Sequence, residues 1–273
     1  ADRTAPTAQV SLAGTVDGKE ISGEISLGSE ESKTVLENIR FVLGENRIEG
    51  SLTAGPAGDF LTGISGSLKI DAPDISELSP LVLTEIAGRI EGTVDVGDED
   101  GTLTMRADVN GGDISVPGTT VGSFSTRAAV FDPLGALRAE GTATASDIAA
   151  GGAPIKTVSL EAKNSGNRTD IDLDARLAEG DGADGLAATA TLIAQETGLD
   201  ITLDRMDGRY AGLTTSLARK GHIVLSEGTA NIEALSLKLG DGSLDVSGTA
   251  GETIDIAAKI NKVPLSLANA FSS

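Results

Sequence analysis

Residues 84–97 read TEIAGRIEGTVDVG, and their spacing decides the fold class. Ile86, Ile90, Val94 and Val96 alternate with Glu85, Arg89, Glu91, Thr93 and Asp95. A period of two places the branched residues on one side of a strand and the charges on the other. Gly88 and Gly92 fall on the apolar side, where a closed core would want side chains, because a strand glycine packs nothing. Glycine there implies either a sheet that bends sharply inward or an apolar ligand lying against it.

The same pattern runs outward in both directions. Val10, Leu12, Gly14 and Val16 alternate before Asp17-Gly18, a hairpin dipeptide, and Ile21, Gly23, Ile25 and Leu27 return. Similar sets follow to the last, Ile254, Ile256, Ala258 and Ile260. Asn110-Gly111, Asp181-Gly182, Asp207-Gly208 and Asp241-Gly242 read as turns. Strands of this length with tight turns predict an all-β antiparallel meander of roughly sixteen to twenty strands. The whole chain reads as one array, residues 1–273, with a single break. At 71–83, DAPDISELSPLVL, two prolines exclude a central strand. Asp74 or Ser76 is placed to cap one helical turn around Ile75, Leu78 and Leu81, a short plug or lid laying aliphatics across the sheet. The loose start ADRTAPTA and the stop at NAFSS, directly after a patterned segment, read as a piece cut from a longer polypeptide.

Aromatic residues are only 2% of the chain, with five Phe, Tyr210 and no Trp. A filled sandwich would spend more aromatic area on its core, so the apolar side is a smooth surface of Ile, Leu, Val and Ala. A net charge of −20 argues against nucleic acid, whose phosphates need a basic counter-surface, and suits keeping an apolar, edge-rich chain in solution. No cysteine is present, which rules out disulfides and thiolate metal sites. Apolar runs fall short of the roughly 18 residues of a spanning helix.

Catalysis needs convergent acids, bases or nucleophiles. His222 is the only histidine and gathers no triad, so it reads as a surface or structural residue. The acidic turns VGDEDG, EGDGADG and LGDGSLDVSG are similar to calcium-binding nonapeptides but stand isolated rather than in tandem. No cofactor is implied and no enzyme activity is expected. Asn167-Arg168-Thr169 fits a glycosylation sequon and reads as a turn.

Residues 241–271, DGSLDVSGTAGETIDIAAKINKVPLSLANAF, and 65–94, SGSLKIDAPDISELSPLVLTEIAGRIEGTV, resemble the repeated units of the TamB/AsmA-like family. Residues 146–178 follow the same grammar, and KVPLSLANAF is the most distinctive part. The resemblance implies a curled, taco-like (U-shaped) sheet with an apolar inner groove. It implies a periplasmic bridge, anchored in the inner membrane, that carries phospholipid towards the outer membrane. An outer-membrane barrel partner of the TamA type would be met through parts of the protein outside this chain.

A meander with one continuous aliphatic side has no helices to cover it and must fold on itself. Acyl chains can then stand in for core side chains. The positions expected to line the groove in the first half are Ile25, Phe41, Leu52, Ile64, Leu68, Ile86, Ile90, Val94, Leu103, Met105, Phe124 and Val130. In the second half they are Leu137, Leu160, Ile171, Leu173, Leu192, Ile201, Leu203, Leu213, Leu235, Leu237, Leu244, Val246, Ile254 and Ile256. Two other classes stay open: a scaffold offering edge strands to outer-membrane proteins, and a structural β-solenoid spacer, whose mark would be parallel rungs of even length.

Overall fold

The computed structural model describes residues 8–30, 33–54, 63–99, 102–133, 135–150, 153–178, 184–195, 198–210, 212–226 and 228–262. The chain divides into two compact units, Ala1–Phe131 and Asp132–Ser273. Unit 1 holds β1 (Ala8–Val16), β2 (Lys19–Glu30), β3 (Lys33–Leu43), β4 (Asn46–Ala54), β5 (Ser65–Ala72), β6 (Ala87–Glu99), β7 (Thr102–Val116) and β8 (Thr119–Phe131). Unit 2 holds β9 (Arg138–Ala150), β10 (Ala153–Ser165), β11 (Arg168–Leu177), β12 (Gly185–Gln195) and β13 (Gly198–Tyr210). It ends with β14 (Leu213–Ser226), β15 (Thr229–Leu239), β16 (Gly242–Ala250) and β17 (Ile254–Asn261).

Within each unit every strand pairs antiparallel with its neighbour in sequence. Each unit is therefore a curled meander whose sheet is not closed, and the fold is all-β. Among the described residues no ladder is parallel, so the rungs of a parallel solenoid are missing.

Two-residue hairpins set the registers. Val16 pairs with Lys19 around Asp17-Gly18, both left-handed (φ 49° and 78°), the geometry that matches strand twist. Two of the expected turn dipeptides are instead strand residues. Asn110-Gly111 lies inside β7 and Asp207-Gly208 inside β13, where each glycine faces a bulky neighbour, Phe124 for Gly111 and Leu186 for Gly208. Asp241 sits in the β15–β16 turn, and Asp181-Gly182 lies outside the described residues.

β-Bulges bend the strands. In β3, Asn38 takes φ 52° and both ladders slip by one residue beside it, while its side-chain amide donates to Ser26 Oγ at 3.4 Å. In β7, Asp113 (φ 54°) marks a slip against β6. Asx residues adopt this left-handed conformation at low cost, which lets the strand coil without a glycine.

The break in the pattern is a 3-10 turn, Ile75–Leu78, running into the one-turn helix α1 (Ser79–Val82). Of the two candidate caps, Asp74 is the one used: its carboxylate accepts from the Ser76 backbone N–H at 3.0 Å. Asn46 holds the segment to the β3–β4 turn. Its amide donates to the Asp74 carbonyl at 2.7 Å and its oxygen accepts from the Asp74 N–H at 3.1 Å. Glu77 closes the joint, accepting from the Glu45 N–H at 3.0 Å and pairing with Lys19 at 2.8 Å. The Lys19 ammonium, with the Glu45 N–H, holds the Glu77 carboxyl below its usual range. Ile75 is buried, but Leu81 is exposed together with Val82 and Leu83 rather than laid across the sheet. The inward side chains of the segment, Ile75 and the half-buried Leu78, both come from the 3-10 turn, and the one-turn helix that follows buries no residue. Leu83, at φ 55°, then turns the chain back towards β6, and Ser79 Oγ clamps both the N–H and the carbonyl of Ile86.

Candidate functional site

The cross-strand register gathers the alternating aliphatics onto one face of each unit. In unit 1 one row runs Leu12, Gly23, Phe41, Ile48, Ile70, Gly92, Val109 across β1 to β7. A second runs Leu52, Gly66, Val96, Met105, Val130, and a third Gly50, Leu68, Val94, Ala107, Ala128. Ile90, Gly111 and Phe124 make a fourth, and Ile25 and Leu103 lie on the same side, opposite Val10 and Asp98. Ten of the expected groove positions in unit 1 thus share one face. Ile64 and Ile86 precede β5 and β6 and stand in connections, outside the ladders.

Unit 2 repeats the arrangement. Leu160 faces Leu173, Ile171 faces Ala190, and Leu192 faces Ile201. Leu203 faces Gly221, and Leu213 faces Tyr210. Leu235 with Val246 and Leu237 with Leu244 continue the face, which ends with Ile254 and Ile256 opposite Ala250 and Gly248. Leu137 precedes β9, is exposed, and belongs to the connection between the units' strands rather than to a ladder. Val10, Leu12, Ile48, Ile70, Val96, Ile223, Leu225 and Ile260 share these faces too, and strand alternation already marks them.

The glycines do not leave holes for a guest. A Cβ at Gly50 would overlap the Ser67 carbonyl oxygen, at Gly66 that of Ser51, at Gly92 that of Asp108 and at Gly248 that of Asp255. Gly66, Gly92 and Gly248 also sit at φ 148°, 155° and 130°, conformations side chains rarely adopt. Of the two explanations for glycine on the apolar side, the structure has the bend: the backbone turns so sharply that the neighbouring strand fills the Cβ position.

The faces are sheltered but not filled. In β5 and β6 apolar positions are half-buried where their polar neighbours are exposed. Yet Ile48 and Met105, on the interior strands β4 and β7, remain 36% and 39% exposed, and Leu225 on interior strand β14 is 37% exposed. Among the described residues the buried hydrophobics are four alanines, Leu43 and Ile75.

The opposite faces carry charge. In unit 2 Thr191 Oγ1 lies 2.8 Å from Asp204 and 3.2 Å from Asp170, and Asp204 pairs with Lys220 at 2.7 Å. The Lys220 ammonium holds the Asp204 carboxyl below its usual range. His222 is gripped by two carboxylates, Glu233 on Nδ1 and Asp200 on Nε2, each at 2.8 Å. These hydrogen bonds, Glu233 first, raise its pKa above the ordinary imidazole value. The polar face also holds open cavities: one of 590 Å³ follows the register row Thr142, Glu161, Asp172, Thr189 and Arg205. Among the described residues no group of three or more His, Asp or Glu side chains is placed to hold a metal ion. Of the acidic turns, EGDGADG lies mostly outside them.

No family, curated protein or solved structure matches this chain. Among the described residues no helix is long and apolar enough to cross a membrane.

What these faces can do chemically follows from their composition. They offer aliphatic area without directional polar groups, suited to a flexible hydrocarbon and not to a polar ligand.

Proposed function

We propose that this chain is a segment of a periplasm-spanning lipid-transfer protein whose apolar faces carry phospholipid acyl chains between the inner and outer membranes. The observation that carries this reading is the exposure of Ile48 and Met105 on interior strands, where a self-filled protein would bury them. A hydrocarbon tail is the guest that completes such a face. Each buried methylene contributes about 0.8 kcal/mol, so a tail of ordinary length is held without any specific polar contact. Successive rows of Leu, Val and Ile resemble one another, so sliding from row to row costs little.

The periplasmic setting, the inner-membrane anchor and the TamA-like barrel partner come from the resemblance of residues 65–94 and 241–271 to TamB/AsmA-like units. Native mass spectrometry and lipid extraction of the purified chain test the reading. Co-purified phospholipid, lost when Leu68 and Val94 are both replaced by Glu while the β signature in circular dichroism persists, is the expected result. A lipid-free chain whose groove-directed photocrosslinks capture polypeptide would instead make it a scaffold for β-rich clients.

A further inference from the structure

One end of the unit 1 aliphatic face is filled by the protein itself, and the boundary is sharp. Leu43, Asn46 and Ala72 lie on that face, opposite Ile21, Leu43 and Ile90 respectively. They are 0%, 3% and 6% exposed, and Ile75 of the 3-10 turn, which packs on β6, is 6% exposed. Ile48, the next residue of β4 on the same side as Asn46, is 36% exposed. The change from closed to open thus falls within one side-chain repeat of the strand, about 7 Å.

The wall at this boundary is fixed in place and turned against a phosphate. Asp74, the residue before Ile75, is tied to Asn46 through both its N–H and its carbonyl. Asn46 also donates to the Leu43 carbonyl at 3.2 Å and to Glu77 at 2.9 Å, and Glu77 takes the Lys19 ammonium. The cation at this end is therefore already paired, while Asp74 and Glu77 present negative charge to an anionic headgroup. The buried apolar members, Leu43, Ala72 and Ile75, suit the methyl end of a hydrocarbon tail. A tail that lies along the strands and slides from row to row towards this end, methyl first, must stop here.

We propose that Ile75, held by Asn46, is a stop against which the methyl end of an acyl chain abuts, so that the plug limits the tail length the unit 1 face accepts. The proposal rests on the reading of this face as a lipid carrier and adds to it a selection by chain length. Ile75 sets the limit, and Asn46 and Glu77 position it. Ile75→Ala vacates the volume of about three methylenes, and each further methylene then buried raises retention about fourfold.

The intact chain, stripped of lipid and incubated with vesicles of saturated phosphatidylcholines that differ by two carbons per tail, is recovered and its bound lipid counted by mass spectrometry. Retention should rise with tail length to a limit and fall beyond it. Ile75→Ala should raise that limit by about two carbons and increase retention of the first excluded lipid about tenfold, with a smaller shift for Ile75→Val. Leu83→Ala, at an outward residue 89% exposed, should leave the limit where it is. The native chain gives a second reading that needs no variant: a photoreactive diazirine at the tail terminus should label residues 41–48 or 70–75, and one on the headgroup should not. Retention without a length limit, a limit unmoved in an Ile75→Ala or Ile75→Val chain of native circular dichroism, an equal shift in Leu83→Ala, or headgroup labelling of those residues overturns the stop and leaves lipid carriage standing. Retention of no lipid at any length overturns both.

Discussion

Gly92 of β6 lies directly opposite Val109 of β7, at φ 155°, with the Asp108 carbonyl standing where its Cβ would be. The pairing shows what glycine does on these faces: it permits a close backbone approach and so bends the sheet over its aliphatic side.

Glycines of the same face should therefore differ in cost. Gly92→Ala must distort the ladder, at about 1–3 kcal/mol for a strained backbone position. At Gly23 the nearest atom to an added Cβ is Leu12 Cβ at 3.6 Å, ordinary contact, and no positive φ is involved. Gly23→Ala is expected to be neutral or slightly stabilising through lost chain entropy, by up to about 1 kcal/mol. Urea unfolding of unit 1 compares them, and equal costs would remove the bend as the reason for the glycines.

An unfilled face should also tolerate truncation. Leu43 is wholly buried beside the Asn46 joint, and Leu43→Ala should cost about 2–5 kcal/mol, as for a packed core. Met105 sits in the middle of the aliphatic face and is already 39% exposed, so Met105→Ala should cost only about 1 kcal/mol. Denaturant midpoints of the lipid-stripped chain decide this. A core-sized loss at Met105 would mean that the face is packed in solution.

His222 adds a pH dependence. A neutral imidazole has one N–H, yet both ring nitrogens face carboxylates, Glu233 and Asp200, so the arrangement favours the protonated ring. Its folded pKa is raised above the unfolded value of about 6.5. The stability it contributes is therefore complete below that pH and is lost as pH rises through the higher folded value. Hydrogen exchange of β13 to β15 between about pH 5.5 and 8.5 should show faster opening at the alkaline end, and His222→Gln should flatten that dependence. An unchanged slope in the variant would separate the histidine from the stability of these strands.

Much of this was legible without coordinates. Period-two alternation places Phe41, Leu68, Val94, Leu173 and Leu244 on apolar faces because successive side chains of a strand must point to opposite sides. Asp17-Gly18 announces its hairpin because both residues accept the left-handed backbone the turn demands. Asn110-Gly111 carries the same signature and is not a turn, since Phe124 on β8 requires a residue without a side chain opposite it. Dipeptide chemistry is local, and that requirement comes from another strand. Leu81 failed for a related reason: which aliphatic of the plug turns inward depends on the Asn46 and Glu77 joint to a turn about thirty residues away.

The sequence by itself determined strand type, the sidedness of each regularly alternating run and the aliphatic nature of one side, because these follow from the geometry of single strands and from composition. Only the tertiary structure decided whether that side is filled and what its glycines are for. Both depend on how close neighbouring backbones come, a distance set by pairing register and bulges at Asn38 and Asp113, which no single strand encodes.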